Sequence, residues 1–133
     1  IGPMLQIGHP MYKLVISDTV KFQVKLSVND AGVKKDFSLW LEGKRLDMDH
    51  LKADLDENGD MKVMDFHAKV CRDNLTGWSD QRLVVDESGQ PAAFSPQALD
   101  CLLSLTGAVG VIHGAYMDAI VTSGGTAGRA KNS

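Results

Sequence analysis

The stretch DLDENGDMKVMD, residues 54–65, sets oxygen-bearing side chains at a spacing that can hold a metal ion. Asp54, Asp56, Asn58 and Asp60 alternate with other residues, Gly59 falls where a tight loop needs it, and Asp65 closes the span. That is the layout of an EF-hand calcium loop, with Asp in place of the usual closing Glu. The shorter Asp makes a bidentate contact harder, the loop stands alone where EF-hands pack in pairs, and the entering helix is short. The competing reading is a polar helix connector, in which Asn58-Gly59 ends one helix and Asp60 caps the next. The sequence favours the connector. Calcium on Asp54, Asp56, Asn58, Asp60 and Asp65 is the alternative, and no other cofactor is implied.

The remaining chemistry-bearing residues form no set. His67 and Cys71 stand four apart, on one helix face. A zinc site would have to add Cys101 and His113, and no CxxC or HxxxH pair supports it. The two cysteines read as reduced core thiols. No GxSxG is present, and SGGTAGRA (Ser123 to Ala130) lacks the Gly-Lys-Ser/Thr end of a P-loop. No catalytic constellation emerges, so the expectation is a non-enzyme. The 133 residues carry a net charge of -3 without a dense basic stretch, which gives nucleic acid no electrostatic footprint.

Period and turn chemistry give the elements. Tyr12 to Ser17 is rich in β-formers. Val20, Phe22, Val24, Leu26 and Val28 alternate with Lys21, Gln23, Lys25 and Ser27, a half-buried strand. Asn29 to Gly32 is a turn, and Phe37, Leu39 and Leu41 mark the returning strand of a hairpin. Asp47 is a helix N-cap before HLKADL. Met61, Val63, Met64, Phe66, Val70 and Leu75 stand near helical spacing and read as core filler, with Gly77 ending that helix. Arg82 to Val85 is extended, and DESGQP is a turn. Ser95 and Pro96 open a helix as N-cap and first residue. A last helix is expected over about Ala108 to Val121. The fold class is α+β: an N-terminal β-hairpin, then three or four helices, predominantly helical.

Residues 1–11 begin with Ile1 rather than Met and read as a cloning remnant or an irregular N-terminal arm, with no signal peptide. Residues 12–123 read as one domain, and the glycine-rich 124–133 as a flexible tail. From Cys101 to Met117 no Asp, Glu, Lys or Arg occurs, over 17 residues, and Gly110 and Gly114 make a GxxxG spacing. A membrane span needs about 20 apolar residues. With His113 inside the run, and Asp100 and Asp118 at its edges, no span is expected. A helix apolar on nearly all sides must still be buried. The pair of helices from Pro96 to Val121 therefore offers Leu102, Val109, Ile112, Tyr116 and Ile120 as candidate partner-binding residues, and predicts open-ended self-association.

Two regions together carry a resemblance. One is ISDTVKFQVKLSVNDAGVKKDFSLWLEGKRLD. The other is NLTGWSDQRLVVDESGQPAAFSPQALDCLL, with Trp78, Gln81, the Ser88-Gly89-x-Pro91 turn, and Phe94-Ser95 before Ala98-Leu99. In the order and texture of these features the chain resembles the tail assembly chaperones of long-tailed, lambda-like phages and prophages, over roughly residues 16 to 132. The resemblance implies a non-enzymatic viral protein of the host bacterial cytoplasm, absent from the mature virion. Such proteins bind the tape measure protein, keep it soluble, and help the tail tube protein polymerise around it. Ala130-Lys131-Asn132 can be encoded GCA AAA AAC, which contains a slippery heptamer. Genes of this family typically end their short product near such a site, so a programmed frameshift is the matching expectation. The acidic loop at 54–65 is not part of the family pattern.

Overall fold

In the computed structural model, residues 12–124 are described. The expected arm over 1–11 and, apart from Gly124, the expected tail over 124–133 lie outside them. The order is β1 (Thr19–Asp30), β2 (Val33–Lys44), α1 (Met48–Glu57), α2 (Val63–Asn74), β3 (Leu75–Ser79), α3 (Pro96–Leu103) and α4 (Ala108–Ile120). The three strands form one antiparallel sheet in the order β1-β2-β3. The α+β class stands, but helices hold only 38% of the described residues, so the chain is not predominantly helical.

The β1–β2 hairpin follows from alternation. Val20, Phe22, Val24 and Leu26 are buried, while Lys21, Gln23 and Lys25 face solvent. Phe22 pairs with Leu41 and Val24 with Leu39, which puts the apolar set of both strands on one face. The turn residues Ala31 and Gly32 have φ of 54° and 89°. Two positive values match the right-handed strand twist as a type I′ loop does. The Gly32 N–H donates to Asn29 Oδ1 at 2.8 Å and holds the turn closed.

Tyr12 to Ser17 is not a strand, despite its β-forming residues; it is exposed and makes no ladder. β3 was not expected. α2 ends at Asn74, and Leu75–Ser79 then pairs with β2, Leu41 opposite Trp78 and Glu42 opposite Gly77. Gly77 thus lies within a strand and does not end the helix. The five-residue strand is too short to show an alternation of its own. It forms because Leu75 is buried and Trp78 half-buried beside β2.

One hydrophobic cluster lies between the inner face of the sheet and α2, α3 and α4. The loop from Asp80 to Phe94 is organised by a buried amide. Gln81 Nε2 donates to the Val84 and Ala92 carbonyls at 2.8 and 3.1 Å, and Gln81 Oε1 accepts from the Val84 N–H at 2.8 Å. Trp78 Nε1 donates to the same Ala92 carbonyl, and its indole meets Phe94 edge-on at 5.2 Å. The Asp86 carboxylate holds the next turn by accepting from Ser88 Oγ and from the backbone of Ser88 and Gln90. These bonds keep it below the usual carboxylate range, the Ser88 hydroxyl most of all. Ser95 Oγ accepts from the Ala98 N–H at 3.0 Å, and Pro96 is the first residue of α3, as the sequence indicates.

α4 packs on β1 and α2. Its Tyr116 ring is fully buried, stacks on Phe22 at 5.6 Å, and its hydroxyl donates to the Lys44 carbonyl. The close approach requires a glycine on β2: a Cβ on Gly43 would stand 3.0 Å from both Tyr116 Cε1 and Leu75 Cδ2. Gly43→Val is expected to destabilise the protein by about 2 kcal/mol, as overpacking does. Chemical denaturation measures this; an unchanged midpoint would show that the ring has room to move.

Candidate functional site

The acidic segment is a connector between helices. Asp47 caps α1, accepting from the His50 N–H at 2.8 Å. Asn58 closes it, its backbone N–H and its Nδ2 both donating to the Asp54 carbonyl. The expected second cap is absent: Lys62, not Asp60, precedes α2, and no side chain caps that helix. No three His, Cys, Asp or Glu side chains among the described residues stand where they could hold one metal ion. The alternative calcium set Asp54, Asp56, Asn58, Asp60 and Asp65 therefore lacks convergent geometry. Its spacing repeats an EF-hand, but Asp54 and Asp56 belong to a continuous helix and Asp65 to the next. The helix dihedrals open the loop that a cation would need wrapped.

The four residues weighed for zinc do not gather either. Cys71 is buried in α2 and Cys101 exposed on α3. Burial pushes the Cys71 thiol up to about 12, with Arg72 opposing only weakly, which makes it an inert core group. His67 and His113 do meet. Their rings stack between α2 and α4 at 3.7 Å and 8°. Burial, and then His67, lower the His113 pKa to about 4.

The candidate partner-binding residues are placed differently from the expectation. Leu102, Val109, Ile112, Tyr116 and Ile120 are all buried in the chain's own core. Sheet, α2 and α3 absorb the apolar side of α4, and the residues left outside are Gly110, Val111, Gly114 and Asp118. A Cβ on Gly110 or Gly114 would meet nothing within 4 Å, so the GxxxG spacing faces open space. α3 and α4 meet at 113°, and no single described helix is long and apolar enough to cross a membrane.

The open apolar surface lies elsewhere. No residue of α1 is buried. Met48 and Leu55 on α1 are 67% and 57% exposed, and Val63 and Met64 at the start of α2 are 66% and 55% exposed. Between α1, α2 and α4 runs a groove of about 240 Å³ lined by Leu51, Leu55, Phe66, Val70 and Met117, with Asp54 and His113. A second groove of about 430 Å³ lies where Leu14 and Ile16 approach Met48, Leu51 and Val121. Leu51 lines both. Met61, Val63 and Met64 look like core filler in sequence because their spacing is helical. Spacing shows a face, not what covers it. Comparison with protein-family models, with curated proteins and with solved structures finds no match to this chain.

Calcium at millimolar concentration and a chelator are expected to give the same melting curve. A site binding only the folded chain at 100 times its Kd would add about 2.7 kcal/mol. A shift of several degrees that vanishes in Asp54→Ala would restore the metal reading.

Acid is expected to weaken the α2–α4 contact. The folded His113 pKa lies below its unfolded value, so the unfolded chain binds the extra proton between the two. The contribution is complete above about pH 6.5 and is lost as pH falls through about 4. Discounted for the solvent that reaches the ring, it is about 1 kcal/mol, roughly 5 °C. Melting temperature between pH 7 and 4.5 should therefore fall less steeply in His113→Gln. Parallel slopes would contradict this.

Proposed function

We propose that the chain is a tail assembly chaperone of a long-tailed phage or prophage, acting without catalysis on the tape measure protein. In this reading it works in the host bacterial cytoplasm, keeps the partner soluble while the tail tube protein assembles, and is absent from the mature virion. The reading includes a programmed frameshift at Ala130 to Asn132, where the residues allow a slippery heptamer. Copies associate with one another in open-ended fashion during assembly.

The reading rests on the resemblance of the hairpin and of the Trp78-to-Leu103 region. The observation that supports it most is the exposed apolar band on α1 and the start of α2, beside a core that is otherwise filled. Isolated exposed apolar residues are ordinary, and four on two successive helices beside an apolar groove suit a docking surface. An elongated helical partner with apolar stripes suits such a surface.

Co-expression tests the reading. Tape measure protein made alone is expected to be insoluble, and made with both the short and the frameshifted product it is expected to be soluble and to co-purify. Ile112→Asp and Tyr116→Asp are unsuitable probes, because both side chains are core. An insoluble tape measure protein in the presence of both forms, or codons at Ala130 to Asn132 that cannot slip, would overturn the proposal.

A further inference from the structure

The α1–α2 hairpin joins two properties that sit apart elsewhere in the chain. One is apolar: Met48, Leu55, Met61, Val63 and Met64 are exposed on it, above a groove floored by Phe66, Val70 and Met117. The other is charge. Residues 47–65 hold seven acidic and two basic side chains, a net of -5 with His neutral, against -3 for the whole chain. The described residues outside this segment balance to zero, so the net negative charge of the described chain lies in this one segment. Asp54 and Glu57 act together there: both raise the pKa of Lys69 on α2, after the nearer Asp73.

Every methionine among the described residues, Met48, Met61, Met64 and Met117, lies on this hairpin or in its groove. Methionine is unbranched and polarizable, and repacks against partners of different shape. A long acidic rim repels acidic partners and draws basic ones. α1 has no fully buried residue and touches the core through the half-buried Leu51, so it can shift to admit a side chain at little cost to the core.

We propose that this face binds a cationic amphipathic helix. Apolar side chains at i, i+3 or i+4 and i+7 would enter the groove beside Leu51, Leu55 and Met64, and flanking Lys or Arg would meet Asp49, Asp54, Asp56 and Asp60. The inference adds a site and a segment chemistry to the chaperone reading. Its test uses synthetic peptides rather than the tape measure protein, so either can fail alone.

Three fluorescent peptides of about 18 residues suffice, titrated into the full chain at physiological salt. The first is a Leu/Lys amphipathic helix, the second has Glu for every Lys, and the third has the first one's composition scrambled so that no apolar face forms. The first is expected to bind, and the other two roughly tenfold more weakly or worse. Leu55→Lys with Met64→Lys should weaken binding of the first by about tenfold, with the melting temperature retained because both side chains are exposed. Should that pair disturb folding, Asp56→Asn with Asp60→Asn should weaken binding and flatten its salt dependence without touching an apolar contact. Equal binding of the Lys and Glu peptides, or of the ordered and scrambled ones, would overturn the proposal. So would self-association abolished by Leu55→Lys, which would give the face to a second copy. Binding that appears only after residues 1–11 are removed would give it to the chain's own N-terminal segment, and would likewise overturn the proposal.

Discussion

Helix α4 meets the sheet at Tyr116, whose ring fits between Phe22 and the bare backbone of Gly43 while its hydroxyl bonds the Lys44 carbonyl. Burial raises the phenol's pKa, with a smaller contribution from Cys71, so the ring stays neutral and donates. Once that contact is made, Ile112 and Val109 are carried onto the β1 side of the core, and the His67–His113 stack lines α2 up beside α4. The register bulge between Glu42 and Gly43 lets β3 join the same strand that gives Tyr116 its space. Sheet, α2 and α4 thus close around one residue. α1 is not part of that closure, and it alone among the helices has no buried side chain.

This division separates the apolar surface the chain covers itself from the apolar surface it leaves open. The apolar excess of α4 invites assignment to a partner when read as a string, but the three-dimensional core consumes it. Exposed apolar side chains remain on α1 and the first turn of α2, in a segment rich in carboxylates, and also from Tyr12 to Ile16. Of the acidic residues that imitate a calcium loop, Asp54 lines the groove between α1, α2 and α4. Three of them, Asp54, Asp56 and Asp65, are helical positions on two different helices, and helix geometry spreads side chains that a metal would need to converge.

The hairpin was legible because strand period, turn residues and lysine alternation all agree there. The caps at Asp47 and Ser95 were legible because each has a specific side-chain acceptor at the right distance along the chain. β3 was hidden, since five residues with one glycine carry no period of their own and are stabilised by β2 and by the Gln81 and Trp78 bonds around Ala92. The burial of Leu102, Val109, Ile112, Tyr116 and Ile120 was hidden for a related reason. Apolar period identifies a side that wants cover, and only the packing shows that α4 is covered and the α1–α2 turn is not.

Hydrogen exchange on the chain co-purified with tape measure protein tests the central claim most directly, because it reads where a partner sits without altering a residue. The account predicts added protection over residues 47–66, with α4 from Ala108 to Ile120 already protected in the free chain and unchanged in the complex. New protection confined to α4 or to the outer face of β1 and β2, with residues 47–66 exchanging as before, would contradict it.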